Sequence, residues 1–171
     1  MKKLLILLCV LALLLSLPGV ASASKPVQGT FTISGYTDPY SVSFEQLPSG
    51  LFKFELSAVG AVAGDYFDGA GFTFDESGIV KIGPTGTGSG NNKGTMTIIA
   101  SDGSQAVIHF GGRSEITGYD DYGFPEGSVE GSFTVLHGTG QYANLHGQGK
   151  YSGGLGLVFT VTFTGKFHND P

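Results

Sequence analysis

Apolar and polar residues alternate along most of the chain after residue 23, with the period of two that is typical of β-strands. The clearest run precedes the C-terminus, where Thr160, Thr162 and Thr164 occupy one parity and large apolar residues occupy the other. The apolar members of this run are Leu155, Leu157, Phe159, Val161, Phe163 and Phe167. Such a strand buries one face and exposes the other. Because apolar residues at helical spacing are missing after residue 23, the pattern predicts a protein made almost entirely of strands and turns.

Shorter alternating runs of the same kind recur upstream. They cover residues 31–33, 40–44, 52–58, 72–74, 79–82, 96–100, 106–110 and 129–135. Asp102-Gly103 separates two of these runs and is a dipeptide typical of a tight hairpin. About eight to ten short strands joined by turns predict an all-β fold, a single antiparallel β-barrel of about eight strands, with a β-sandwich as the alternative.

Three polar stretches interrupt the alternation. Residues 75–78 (Asp-Glu-Ser-Gly) are interpreted as a turn with solvated carboxylates. Residues 84–94 are rich in glycine, threonine, serine and asparagine, and residues 119–127 carry several acidic residues and a proline. Both longer stretches are predicted to be exposed, mobile loops.

The first 23 residues have the pattern of a secretory signal peptide. Lys2 and Lys3 form a basic start, residues 4–17 are almost wholly apolar, and Ala21-Ser22-Ala23 ends the segment with the small residues that signal peptidase accepts. The apolar run is short for a membrane span. We therefore predict cleavage after Ala23, which leaves residues 24–171 as one secreted β-barrel domain without an integral membrane segment.

Composition narrows the functional classes of this domain. Without Lys2 and Lys3, seven basic residues face fourteen acidic ones, a net charge of −7. This balance argues against nucleic acid as a partner, because nucleic acid requires clustered positive charge. The single cysteine, Cys9, lies in the predicted signal, so the secreted domain has no disulfide. Its stability must come from packing, for which thirteen phenylalanines and seven tyrosines are available.

Residues 138–149 (Gly-Thr-Gly-Gln-Tyr-Ala-Asn-Leu-His-Gly-Gln-Gly) form the most distinctive segment. The segment resembles the Gly-Thr-Gly, aromatic, two residues, apolar, one residue, Gly-x-Gly pattern of the allene oxide cyclase and dirigent-like superfamily. The resemblance implies a barrel in which a short connection containing an aromatic residue packs across one end. It covers the final third of the chain best, and a glycine turn in another β fold is the alternative.

The same resemblance allows an isomerase or cyclase activity without a cofactor. Gln141 stands where many relatives carry a basic residue, and His137 stands where many carry glycine. These departures weaken the transfer of activity, and no catalytic position is carried over to this chain.

One cluster of charged residues in the sequence is a candidate catalytic site. His109, Arg113 and Glu115 share a parity on the strand after the Asp102-Gly103 hairpin, unless Gly111-Gly112 introduces a bulge. Facing a barrel interior, they would supply a base, an anion anchor and an acid. Facing water, they would be ordinary surface residues, and the apolar residues of the opposite parity compete for the interior.

Two further sets of residues are candidates for binding. His137 and His146 flank the glycine segment and are the candidate metal ligands, although a structural zinc site needs four ligands and no other ligand is placed by spacing. The candidate ligand-binding aromatics are Phe54, Phe133, Tyr142, Phe159 and Phe163.

The sequence therefore favours a secreted binding module for a small apolar molecule, or a non-catalytic interaction domain, that needs no cofactor. Small barrels either fill with side chains or hold one ligand, and an apolar lining with few polar groups is typical of such sites. An isomerase or cyclase is the second hypothesis. A carbohydrate-binding or surface-adhesion sandwich is the third, with tyrosines in place of the missing tryptophans. The pattern does not indicate an oligomeric state.

Overall fold

A computed structural model describes residues 24–170, and these residues form nine β-strands and one short 3-10 helix. The strands are β1 Val27–Thr37, β2 Ser43–Gln46, β3 Phe52–Gly64, β4 Gly71–Ile82, β5 Gly88–Ile99, β6 Gln105–Tyr119, β7 Pro125–Gly138, β8 Leu145–Leu155 and β9 Val158–Asn169. The 3-10 helix, Gly140–Tyr142, lies between β7 and β8. The predicted signal peptide, residues 1–23, lies outside the described residues. None of the helical structure in residues 24–170 is long and apolar enough to cross a membrane.

Eight of the strands close into a single antiparallel ring. From β2 to β9 each strand pairs with the next one along the chain, and β1 pairs with both β9 and β3. β2 continues the line of β1 along β3, since Thr37 pairs with Ala58 and Ser43 pairs with Glu55. The barrel prediction is confirmed, and the sandwich alternative does not hold because one continuous sheet closes on itself.

The seam between β1 and β9 is held on its outer face by paired hydroxyl groups. The hydroxyl oxygens of Thr32 and Thr162 lie 3.2 Å apart, and those of Ser34 and Thr160 lie 3.1 Å apart. The inner face of the same two strands is buried, with Phe31 stacked on Phe163 at 4.7 Å between ring centres. The alternation predicted for the last strand is therefore correct from Phe159 onward.

The barrel has two ends, which are named here by their connections. The upper end comprises residues 38–51, 83–87, 120–124 and 156–157, and the lower end comprises residues 65–70, 100–104 and 139–144. The lower end is closed by aromatic packing, because Phe67 is fully buried with its ring 5.3 Å from that of Tyr142 and 4.9 Å from that of Phe31. The connection that contains Tyr142 thus packs across one end of the barrel.

Glycines face large aromatic rings across the sheet throughout the barrel interior. In seven cross-strand pairs a Cβ on the glycine would lie within 3.1 Å of a ring atom of its partner. The pairs are Gly35–Phe159, Gly60–Phe72, Gly78–Phe54, Gly94–Phe110, Gly131–Tyr151, Gly147–Phe167 and Gly149–Phe133. A ring lying over a glycine covers the exposed backbone and fills the space left by the missing side chain. This arrangement lets rings from neighbouring strands share a narrow interior.

Two stretches that the sequence assigned to turns or loops are strands. β4 runs without a break through residues 75–78, and β5 begins at Gly88, inside the predicted loop 84–94. Both predictions were wrong for the same reason, since the inward positions there carry Glu76, Gly78, Gly90 and Asn92 instead of large apolar residues. Neighbouring strands supply the apolar bulk, so local alternation is lost while the hydrogen-bonded ladder continues.

Smaller boundaries also differ from the expectations. The long apolar run near the C-terminus is split at residues 156–157, and the predicted loop 119–127 shrinks to the turn 120–124. Residues 38–42 are irregular, so the strand expected over 40–44 begins only at Ser43. The register of β6 shifts near Val107 and near Ile116, whereas Gly111-Gly112 remains in regular pairing.

We expect Gly94→Ala to destabilise the protein by about 1–3 kcal/mol, because its Cβ would lie 2.4 Å from both the Phe110 ring and the backbone oxygen of Asp75. The matched control is Gly111→Ala on the adjacent strand, whose Cβ would meet nothing nearer than 3.5 Å. The control should be neutral or slightly stabilising, since alanine restricts the unfolded chain. Urea unfolding of both variants checks the contrast, and equal losses would contradict the packing described for the pair.

Phe163→Ala should cost about 3–5 kcal/mol, because the ring is 3% exposed and packs against several other aromatic rings. Its neighbour Thr162 faces outward, so Thr162→Ala should cost less than about 1 kcal/mol. Denaturant midpoints of the two variants provide the measurement. Similar small losses at both positions would mean that this parity of β9 does not face the core.

Candidate functional site

A cavity of about 100 Å³ lies inside the barrel, between its middle and its upper end. Most of its wall is apolar and includes the rings of Phe54, Phe74, Phe110, Phe159 and Phe163. Towards the upper end it is bordered by Val42, Phe44, Phe124 and Leu155. The aromatic packing at the lower end continues through Phe31 to Phe163, which lines this cavity, so the barrel is filled at one end and hollow towards the other.

Three polar side chains in the wall of this cavity are joined by hydrogen bonds. The hydroxyl of Tyr151 on β8 donates to Oδ1 of Asn92 on β5 at 3.2 Å. Nδ2 of Asn92 in turn donates to Oε1 of Glu76 on β4 at 2.9 Å. All three residues line the cavity, and Tyr151 and Asn92 are buried. We call these three residues the polar relay.

Two glycines allow the tyrosine to reach across the sheet. Tyr151 pairs with Gly131, Gly131 pairs with Gly112, and Gly112 pairs with Asn92, so two inward positions without side chains separate the two hydrogen-bonded groups. The Tyr151 ring lies across Gly131, whose Cβ would come within 2.6 Å of it. A side chain at either glycine would occupy the space between tyrosine and asparagine. The relay therefore depends on the same glycine–aromatic packing as the core.

Glu76 carries the strongest electrostatic signal in the cavity. Its side chain is partly buried and lines both this cavity and a polar groove shared with Asp75, Lys93 and His109. Burial raises the pKa of its carboxyl group from 4.5 to about 7, although the hydrogen bond from Asn92 acts in the opposite direction. Desolvation penalises the ionised form, and no cation lines the cavity in residues 24–170. Glu76 is thus poised to exchange a proton near neutral pH.

The other polar groups of the cavity stay neutral. Burial, with a smaller effect from Glu76, raises the pKa of Tyr151 to about 12, so its hydroxyl remains a donor. Ser114 is 6% exposed and lines the cavity, and its Oγ has no hydrogen-bond partner among the described residues. Thr37, by contrast, is satisfied, because its hydroxyl donates to the carbonyl of Gly156 at 3.0 Å. A buried hydroxyl without a partner is uncommon, which makes Ser114 an available hydrogen-bonding group in the cavity wall.

The aromatic residues proposed for ligand binding divide between the two halves of the barrel. Phe54, Phe159 and Phe163 line the cavity. Phe133 and Tyr142 are buried but lie outside its lining, in the core cluster that extends to the closed lower end. Sequence parity identified inward-facing rings without showing which of them border empty space.

His109, Arg113 and Glu115 lie on the outer face of β6 and are exposed. The inner face of that strand carries Ile108, Phe110 and Ser114 instead. The three charged candidates therefore do not converge in the barrel interior, which was the arrangement that their proposed catalytic role required. His109 instead borders a polar groove that Asp75, Glu76 and Lys93 also line.

The two candidate metal ligands lie on neighbouring strands. His137 is on β7 opposite Val107, whereas His146 is on β8 opposite His168. The His146 and His168 rings stack at 5.1 Å, and Asp170 lies 3.2 Å from Nε2 of His146. Within residues 24–170, no group of three or more potential ligands has an arrangement suited to a metal ion.

Sequence reasoning missed all members of the polar relay and Ser114. Glu76 was placed in a turn and Asn92 in a loop, so neither was considered as an inward residue. The detectable signal was parity, since Glu76 continues the alternation of Phe72 and Phe74. A polar residue at an apolar position of a strand is the kind of exception that marks functional sites.

Comparison with known proteins adds little to this geometry. No protein-family model matches the chain, and no curated protein matches it. Among solved structures, a chain described as "De novo design of transmembrane beta-barrels" is 12% identical, with a TM-score of 0.17. That match covers 85% of this chain and 98% of the designed one. At so low a TM-score the likeness supports no inference about fold or function.

Between about pH 4.5 and 7 we expect Glu76 to make folding stability fall with rising pH. Over that range the unfolded state releases the Glu76 proton while the folded state retains it, so the unfolded state binds fewer protons and is favoured. The contribution should amount to about 3 kcal/mol and level off above pH 7. Glu76→Gln should remove it, so the stability difference between wild type and variant, measured by urea unfolding from pH 4 to 8, isolates the effect.

Glu115→Gln is the matched control, because Glu115 is exposed on the outer face. This variant removes a carboxyl group from the outer face and shows whether the effect of Glu76→Gln is specific to the cavity. A Glu76→Gln curve that runs parallel to that of the wild type would show that the Glu76 carboxyl has an ordinary pKa.

Proposed function

We propose that this protein is a secreted binding module that holds a small, mainly apolar molecule inside its barrel. The observation that carries the proposal is the cavity, with its phenylalanine walls and its few polar groups. Ligand sites usually combine an apolar lining with a small number of placed polar groups. Secretion rests on the signal-like pattern of residues 1–23.

The size of the cavity limits the ligand. Its volume of about 100 Å³ exceeds what one water needs, roughly 10–15 Å³. An apolar cavity of roughly 150 Å³ in another protein takes up benzene. The ligand, or the part of it inside the barrel, is therefore about the size of one small ring. A longer molecule would extend through the upper end.

A cofactor-free isomerase or cyclase is the second candidate, favoured by one observation. General acid–base catalysis works best when the pKa of the catalytic group lies near the working pH, and burial brings Glu76 to about 7. In that case Glu76 would exchange a proton with the bound molecule. Asn92, itself held by Tyr151, would keep the carboxyl group of Glu76 in place.

Titration with benzene, followed by methyl NMR, tests the binding proposal directly. Saturable shifts are expected at the methyl groups of Val80 and Val161, which line the cavity. Addition of a chelator should not change them, because the proposed site uses no metal. Shifts that fail to saturate, or that spread over the outer face, would contradict a binding site inside the barrel.

A variant that fills the cavity with a larger side chain can be compared with a matched control on the outer face. Val129 lines the cavity, and Val129→Phe should abolish the benzene response by occupying the space. Ser128 is its exposed neighbour on the outer face, so Ser128→Phe should bind benzene like the wild type. Thermal melts of both variants confirm that each is folded before the titrations are compared.

A further inference from the structure

The polar groups of the cavity contain more hydrogen-bond donors than the protein satisfies. The relay runs in one direction, since Tyr151 donates to Asn92 and Asn92 donates to Oε1 of Glu76. A protonated Glu76 therefore carries its hydrogen on Oε2, for which the described residues provide no acceptor. Ser114 adds a second hydroxyl whose Oγ has no partner among residues 24–170.

We propose that the bound molecule is an uncharged carbonyl compound whose oxygen accepts the hydrogen bond left unused by Glu76 or Ser114. This proposal rests on the proposed function, because it names the chemical class of the molecule that the cavity holds. A carbonyl oxygen accepts hydrogen bonds and donates none, so it complements a site with surplus donors. The apolar remainder of the molecule contacts the phenylalanine walls.

Charged ligands fit the cavity less well. A carboxylate would bring a negative charge beside Glu76, and neither a lysine nor an arginine is among the residues that line the cavity in the described chain. An ammonium group would need Glu76 in its ionised form, which burial disfavours. Bringing a charge pair into an apolar site also has a desolvation cost that the attraction offsets only with good geometry.

The protonation of Glu76 gives binding a defined pH dependence. The elements around Glu76 present Leu56 from β3, Asn92 from β5 and Tyr151 from β8, and Tyr151 is the one other titratable group that lines the cavity in residues 24–170. The groove that Glu76 also lines adds Glu55, Asp75, Lys93 and His109, and none of these is among the causes of its raised pKa. The pKa of Tyr151 is raised to about 12, so it does not titrate near neutrality. A carbonyl ligand should therefore lose affinity as the pH rises through about 7, because Glu76 loses its donor.

Calorimetric titration with four compounds of matched size tests the proposal. The probes are acetophenone, ethylbenzene, benzoate and benzylammonium, each measured at pH 5.5 and pH 8.5. At pH 5.5 acetophenone should bind about tenfold more tightly than ethylbenzene, as one hydrogen bond is worth about that ratio. At pH 8.5 this advantage should shrink several-fold, whereas ethylbenzene should bind equally at both values.

Two variants test whether Glu76 and Ser114 cause the preference for acetophenone. Glu76→Gln keeps an oxygen for Asn92 and supplies an N–H donor at every pH, so acetophenone binding should persist and lose its pH dependence. Ser114→Ala should weaken acetophenone about three- to tenfold if Ser114 donates to the carbonyl, with ethylbenzene unaffected. Glu115→Gln, on the outer face, should change neither.

The outcomes separate this proposal from the proposed function. Equal binding of acetophenone and ethylbenzene at both pH values would overturn the carbonyl preference while leaving a cavity that binds apolar molecules. Tightest binding of benzylammonium at pH 5.5 would overturn it in favour of a Glu76 that is ionised at that pH. Absence of binding for all four probes, together with no benzene response, would overturn both proposals.

Discussion

The packing of aromatic rings over inward-facing glycines is the constraint on which the rest of this structure depends. An eight-stranded ring has an interior just wide enough for side chains to fill it. Large rings fit into that space because the residue opposite many of them is a glycine, as with Gly94 under Phe110 and Gly147 under Phe167. The high glycine content, which by itself resembles that of a flexible chain, is thus required for dense packing.

The same constraint creates the candidate site. Gly112 and Gly131 leave a lane across the inner face through which Tyr151 reaches Asn92, and Asn92 reaches Glu76. Towards the lower end the aromatic rings close the interior around Phe67. Towards the upper end the interior is not filled and contains the cavity. Rings packed over glycines occur in both halves, since Phe54, Phe110 and Phe159 of the cavity wall also lie over glycines.

The sequence predicted the class of fold well, because period-two alternation is a local property and most of the strands show it. The strand around Phe163 and the hairpin at Asp102-Gly103 are examples of such local signals. The site could not be predicted in the same way, because Glu76 and Asn92 are polar residues whose inward position depends on pairing with other strands. His109, Arg113 and Glu115 illustrate the opposite error, in which shared parity indicated a cluster but the strand faces the other way.

The barrel interior holds a carboxylic acid, Glu76, whose pKa is raised to about 7 by burial in an apolar cavity. Direct titration of the Glu76 side-chain carboxyl carbon by ¹³C NMR tests this claim without relying on any ligand. The structure predicts a midpoint near pH 7, with the Glu115 signal in the same spectra as an exposed reference. A Glu76 midpoint close to the ordinary glutamate value of about 4.3 would contradict it.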